Sequence, residues 1–335
     1  MRAQSSHRSN ANATANTRSA TDPARMAPAR GMETLSVCTI GGLTIDDLVF
    51  WPSGKTYLSR AGGNAFYSAL GARIWMKSVT AVSRQGSDYP VQQLGRIGNR
   101  IQLALIPVDG PSMHAWGLYE AAGERQWLPH LGSGSQAEMT PSPDELPHEL
   151  WSSAAFHLAS MPPDIQIDWA RRLRGAAGLV SADPTPFEIV GSEDKQWALM
   201  RLVDFYLPSA VEARLLYGSD DPEGAARAFA KCGPRVVVVK LGAEGSLVFD
   251  AATTQLAHVP AYGNAVDPTG GGDAFCGGFL AGYLTTANAV AAAQRGAVAA
   301  SFAVENVGMS SLLRPAETLV KERLINVCER TTVRN

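Results

Sequence analysis

The residues most able to do chemistry stand together at Asp267-Pro268-Thr269-Gly270-Gly271-Gly272-Asp273-Ala274-Phe275. Three consecutive glycines let a backbone approach a ligand closely. The small and apolar residues of 273–284 suit a buried helix, and a strand is expected just upstream, near 258–261. Amides at a helix N-terminus point outward and carry the positive end of the helix dipole, which makes an anion hole. Asp273 stands at its edge. A carboxylate there can take the proton of an attacking hydroxyl while the amides neutralise a transferring phosphoryl group. The same residues would also make a plain glycine turn with Asp273 as helix cap, so the segment alone leaves both readings open.

An anion hole needs a frame to hold it. From Leu35 the pattern is strand, glycine, helix: 35–40 is a short apolar strand ending in Gly41-Gly42, and 65–76 has helical spacing after Gly62-Gly63. Apolar runs follow at 154–159, 178–182, 205–207, 236–241 and 246–249, separated by helical segments at 165–174, 195–202, 210–216 and 223–232. This alternation predicts an α/β fold, a mostly parallel central sheet with helices on both faces. The run Val236-Val237-Val238-Val239 reads as a strand covered on both sides. Two stretches, 43–60 and 101–129, are strand-like without helices and hold Trp51, Tyr57, Trp116, Tyr119 and Trp127. They predict a small antiparallel sheet standing off the body. Residues 132–147 read as a loop, and the Ala-rich 287–304 as a buried helix.

Composition bounds what such a body can be. Of 335 residues 45% are apolar and 18% charged, with 29 basic and 31 acidic residues and a net charge of -2. A disordered chain is excluded, and so is a general electrostatic attraction to nucleic acid or an anionic membrane. No apolar run is long enough for a membrane span. Cys38, Cys232, Cys276 and Cys328 form no CxxC pair and read as reduced thiols of a cytoplasmic protein. The histidines show no HExxH or other short metal spacing. Residues 1–31 carry Arg2, Arg8, Arg18, Arg25 and Arg30 against Asp22 alone. They read as a disordered tail, or as sequence upstream of a start at Met26 or Met32, ahead of one domain over 32–330.

Three motifs fail on inspection. Gly54-Lys55-Thr56 lacks the glycine a P-loop needs, because that position is Val49. Gly132, Gly134 and Ala137 match a dinucleotide turn in letters, but a Pro- and Ser-rich loop follows instead of a helix. No GxSxG elbow is present.

The segment 267–275 resembles the DTxGAGD signature of the ribokinase-like (PfkB) family of carbohydrate and nucleoside kinases. Five further stretches match that family in order: Gly41-Gly42-Leu43-Thr44-Ile45-Asp46, Gly62-Gly63-Asn64, Gly86-Ser87-Asp88, Pro208-Ser209-Ala210-Val211-Glu212 and Gly242-Ala243-Glu244-Gly245. The resemblance spans about residues 35–330 and implies a ribokinase-like fold with a β-sheet lid over the substrate. It implies an ATP- and Mg2+-dependent kinase acting on a hydroxyl of a sugar or polyol. A nucleoside kinase, or a silent sugar-binding protein of the same fold, is the alternative. Asp273 would be the base, and Gly270, Gly271 and Gly272 would hold the phosphoryl group. Asp46, Gly62, Gly63 and Asn64 would bind substrate, and Gly242 and Gly245 would pass the nucleotide. Glu212 would orient magnesium waters, and Asp267 and Thr269 would face a monovalent cation such as K+. Pro268 replaces the usual Thr, Gly271 the usual Ala and Ser209 the usual Asn. The resemblance also implies a homodimer through 43–60 and 101–129, a small-molecule substrate, and no nucleic acid or membrane partner. Lys240 reads as a surface charge at a strand end, and Cys276 as small buried packing. Arg125, beside Glu124, reads as a solvated hairpin residue or a contact to a substrate phosphate.

Overall fold

The described residues, 35–120, 125–176, 178–185 and 189–334 of a computed structural model, begin with β1 (Ser36–Ile40), β2 (Thr44–Phe50), β3 (Lys55–Gly62) and α1 (Asn64–Arg73). There follow β4 (Ser78–Gln85), α2 (Val91–Gly98), β5 (Gln102–Pro107), β6 (Met113–Tyr119), β7 (Arg125–Pro129) and α3 (Gln136–Met139). The second half runs β8 (Ala155–Leu158), α4 (Pro163–Leu173), β9 (Leu179–Ala182), α5 (Glu193–Met200), β10 (Phe205–Tyr206), α6 (Ala210–Tyr217), α7 (Pro222–Ala230), β11 (Val236–Lys240), β12 (Ser246–Asp250) and β13 (Leu256–Val259). The chain ends in α8 (Gly271–Thr286), α9 (Ala289–Val304), α10 (Ser310–Leu313), α11 (Glu317–Arg330) and β14 (Thr332–Arg334). The expected tail, 1–31, lies outside the described residues, as do Glu124 and the side chain of Arg125.

A 10-stranded sheet in the order β14-β13-β12-β11-β10-β9-β8-β1-β4-β5 forms the body. It is parallel from β11 to β5 and antiparallel beyond β11. Side chains of a strand alternate between faces, and β11 shows what the valine run does. Val236 and Val238 pack into the core that holds Phe275 and Phe279, while Val237 and Val239 enter the opposite core with Trp169 and Phe229. Among the described residues no helix is long and apolar enough to cross a membrane.

The smaller sheet, β3-β2-β6-β7, is the one the aromatic stretches predict, with two corrections. Residues Gln102–Pro107, expected in it, pair in parallel with β4 as an edge of the large sheet. As a half-covered edge strand that runs into β6 without a helix, this run carries the pattern of a lid strand. The small sheet is also not purely antiparallel, because β2 and β6 pair in parallel. Both leave strands of the large sheet that point the same way, so they emerge side by side in one direction. The expected loop at 132–147 contains α3, whose Ser135–Glu138 capping box explains why it is helical.

Two helices carry the glycine motifs, and close packing locks them together. A Cβ on Gly71 of α1 would overlap the carbonyl of Ala274, and one on Gly277 of α8 would overlap the carbonyl of Ser68. On the other side of α8, a Cβ on Gly278 would meet Ala299 at 2.7 Å. The N-terminal ends of α1 and α8 are therefore fixed relative to each other by backbone contact rather than by adjustable side chains.

Candidate active site

The turn before α8 is built by its own short-range bonds. Asp267 Oδ1 accepts the amide of Thr269 at 3.0 Å and its hydroxyl at 2.5 Å, and Oδ2 accepts the amide of Gly308 at 3.2 Å. The backbone then swings through Gly270 at φ 71°, the left-handed N-cap of α8. A side chain there would strike the ring of Tyr67. Gly271 is already helical, and its Cβ would point back at Val304, 2.7 Å away, not toward the open side. The positive φ that the motif requires thus belongs to the first glycine of the three. The Gly272 amide lies in the first turn of α8, where a helix offers its N–H groups no carbonyl of its own.

Asp273, half-buried, stands in the first turn of α8. Asp46 lies on β2, almost wholly buried, and a Cβ on Gly62 would overlap its carboxylate. Both acids act on a shared neighbour, Tyr67, whose ring packs against Gly270. Burial first, then the charges of Asp46, Asp267 and Asp273 among others, raise the Tyr67 hydroxyl well above its ordinary value. Gly63, at φ 118°, opens α1, since any side chain would run into Gly42 and Leu43. Asn64 is tied on both sides of its amide: Oδ1 accepts from Gly42 at 3.0 Å and Nδ2 donates to the Ser160 carbonyl at 2.6 Å. It pins the β1–β2 turn to the end of β8. The small sheet reaches this centre through Tyr119, whose hydroxyl bonds that of Thr269.

On the other flank, at the carboxyl ends of β9, β10 and β11, the structure places residues that sequence reasoning missed. Lys240 is not a surface charge. Its Nζ lies 2.5 Å from Asp183 Oδ2 with side-chain exposures of 12% and 7%. A Cβ on Gly272 would sit 3.5 Å from the same Nζ, so the ammonium borders the first turn of α8. Burial works against charge on both partners; the contact with Asp183, with Cys276 and Glu212 behind it, outweighs this and raises Lys240 overall. Cys276 is part of the cluster, 3.5 Å from Asp183 Oδ2. Two signals were available. A lysine ends an otherwise all-valine strand, and ligands of parallel sheets bind beyond the strands' carboxyl ends. Its partner, 57 residues upstream, carries no local signal.

Ser209 is the N-cap of α6. Its side chain accepts the amide of Glu212 while Glu212 Oε2 accepts the amide of Ser209 at 2.5 Å. Burial and then Asp183 push the Glu212 carboxyl up to about 7. Asp183 Oδ1 is buried without a hydrogen-bond partner. A buried carboxylate oxygen left over beside a second carboxyl is a donor set that suits a hydrated divalent cation. Farther out, Gly242 at φ 62° faces open space, whereas Gly245 at φ 100° is required because a side chain would overlap the Val259 carbonyl.

This arrangement, a glycine turn feeding a helix at the crevice of a parallel sheet with a carboxylate at its edge, defines a phosphate-handling α/β enzyme. The chain matches the pfkB family carbohydrate kinases over residues 41–316. It is 30% identical over 252 residues to a cytidine kinase of Thermococcus kodakarensis, covering 74% of this chain and 88% of that one. Its fold is similar to adenosine kinase from Sinorhizobium meliloti at TM-score 0.71 and 21% identity, over 86% of this chain and 98% of that one. It is also similar to a putative ribokinase II from E. coli in complex with ATP and Mg2+, at TM-score 0.69 and 22% identity over 86% and 99%. The chain belongs to the pfkB family of carbohydrate kinases, with the ribokinase-like fold, and is a phosphotransferase of the sugar and nucleoside kinase class.

Proposed function

We propose that this protein transfers the γ-phosphoryl group of ATP to a hydroxyl of a sugar, with the sugar of a nucleoside as the favoured acceptor. The observation that carries this is the left-handed Gly270 turn opening α8, with Asp273 in its first turn and the Lys240 ammonium beside Gly272. Asp46 would hold the acceptor's hydroxyls. Asp273 would remove the proton of the attacking hydroxyl at its carboxylate oxygen. The start of α8 beyond Gly271, the Gly272 amide first, would stabilise the charge on the group in transit, with Lys240 adding positive potential at its side. Bound Mg2+ would neutralise phosphate charge, held by way of Asp183 and Glu212. Gly242 leaves room for the nucleotide. Asp267 and Thr269 would be the place for a monovalent cation, although the Asp267 carboxylate already serves two amides.

A nucleoside is favoured over a free sugar or polyol for two reasons. One is the 30% identity to a cytidine kinase. The other is the flat pair of Phe50 and Tyr119, stacked at 4.8 Å and 11° on the lid face that carries Asp46, a surface suited to a base. Ser209 gives no support to a silent protein, since its hydroxyl has a capping task of its own. We also infer a cytoplasmic setting from the four free cysteines. Lid-to-lid pairing of two copies is supported by the exposure of Trp51, Leu58 and Leu128. The test is ATP consumption with Mg2+ over a panel of nucleosides, pentoses, hexoses and polyols, with the product identified by mass. Phosphorylated nucleoside as the best product is expected. Preference for a free sugar removes the nucleoside assignment, and no turnover with any acceptor removes the kinase reading.

A further inference from the structure

Successive side chains of β2 face opposite ways. Asp46 looks toward Gly62 and the body, on the face that Tyr119 of β6 extends to Thr269. Asp47 looks away, and on that outer face it meets two histidines. The register pairs Ile45 with His114 and Asp47 with Trp116, and the residue after β7, His130, donates its amide to the His114 carbonyl at 2.8 Å. Three adjacent strands thus bring His114, His130 and Asp47 to one spot.

The contacts there exceed what hydrogen bonding explains. His114 Nε2 lies 3.1 Å from Asp47 Oδ2 in hydrogen-bond geometry. His130 Nε2 lies 3.3 Å from the same oxygen, yet it is sealed from solvent and makes no hydrogen bond. The two imidazoles stack at 3.9 Å and 7°, with both Nε2 atoms turned to one carboxylate oxygen. A metal ion would use both nitrogen lone pairs once one ring turns out of the stack, since lone pairs of parallel rings do not meet. Ligand atoms around a tetrahedral zinc stand about 3.3 Å apart, given bonds of about 2.0 Å, and the two nitrogen–oxygen separations match this. The supports are of the kind metal ligands have. Asp47 Oδ1 accepts the Ser59 amide at 2.6 Å, which turns Oδ2 inward, and Trp116 stacks on His130 at 4.6 Å.

We propose that Asp47, His114 and His130 form a divalent transition-metal site on the outer face of the lid, suited to Zn2+ rather than Mg2+ because two of three ligands are imidazole. The ion ties β2, β6 and the end of β7 together and braces the strand that carries Asp46. No short sequence spacing announces it, since the ligands are 67 and 16 residues apart along the chain.

The full-length protein, stripped with chelator, is titrated with Zn2+ in equilibrium dialysis and with Co2+ followed by its visible absorption. One ion per chain is expected, with a Co2+ spectrum of low coordination number and a higher melting temperature. His130→Gln and Asp47→Asn should each weaken binding at least about tenfold and abolish the melting shift. His258→Gln, remote from the site, should change nothing. Should either ligand variant fail to fold, the wild-type Co2+ spectrum decides alone. An octahedral Co2+ spectrum, absence of stoichiometric binding, or unchanged binding in folded His130→Gln overturns the proposal.

Discussion

The α1–α8 junction and the lid each fix the position of a carboxylate, Asp273 and Asp46, by opposite means. At the junction, glycines bring backbone against backbone: Gly71 on Ala274 and Gly277 on Ser68. Nothing there can be repacked by a rotamer change. The lid holds its geometry with side chains, through the Asp47–His114–His130 cluster, the Phe50–Tyr119 stack and the hydroxyl contact of Tyr119 with Thr269. Such contacts can open and reform. In the proposed reaction the anion hole is therefore rigid before substrate arrives, while the acceptor side is free to close over it.

This contrast breaks first at the junction. Gly277→Val should destabilise the whole body by roughly 3 kcal/mol or more, because a backbone carbonyl cannot step aside. Urea unfolding measures it, and a loss under about 1 kcal/mol means the helices slide more freely than their contact suggests.

Beside the junction, Lys240→Met should abolish most turnover and leave Asp183 buried and unpaired, at a cost of about 3–5 kcal/mol. The double variant Lys240→Met with Asp183→Leu should recover much of the stability and none of the activity. Recovery of both would show that the ion pair is structural only.

Glu212 gives a pH signature. Its carboxyl is raised from 4.5 to about 7, so the folded protein holds a proton there that the unfolded chain has lost. The associated stability is fully present below pH 4.5 and disappears as pH rises through about 7. In metal-free protein, Glu212→Gln should flatten the fall in stability over that window. An identical slope in both proteins assigns the proton elsewhere.

On the lid side effects should be smaller. Tyr119→Phe removes one hydrogen bond, worth about 0.5–1.5 kcal/mol. It should raise KM for the acceptor with the melting temperature almost unchanged. A large drop in melting temperature instead makes the lid as integral to the body as the junction is.

The same contrast explains what the sequence discloses. Close-packed backbone leaves a local trace, namely runs of glycine at fixed places, so Gly62-Gly63 and Gly270-Gly271-Gly272 are readable, as is the buried strand Val236–Lys240 between its two cores. Side-chain meetings leave none. Lys240 finds Asp183, and Asp47 finds His114 and His130, across distances in the chain that no spacing rule spans. The edge strand Gln102–Pro107 was expected in the wrong sheet because one-sided cover looks the same in either. Nor can three adjacent glycines say which of them is left-handed.

The central claim is that Asp273 moves the proton at a preformed anion hole. Pre-steady-state kinetics of Asp273→Asn, alongside direct measurement of nucleotide and acceptor binding, tests it most directly. The account predicts a chemical step about 10²–10⁴-fold slower with both affinities preserved, since Asn keeps the shape and cannot accept the proton. A chemical step slowed less than about tenfold contradicts it.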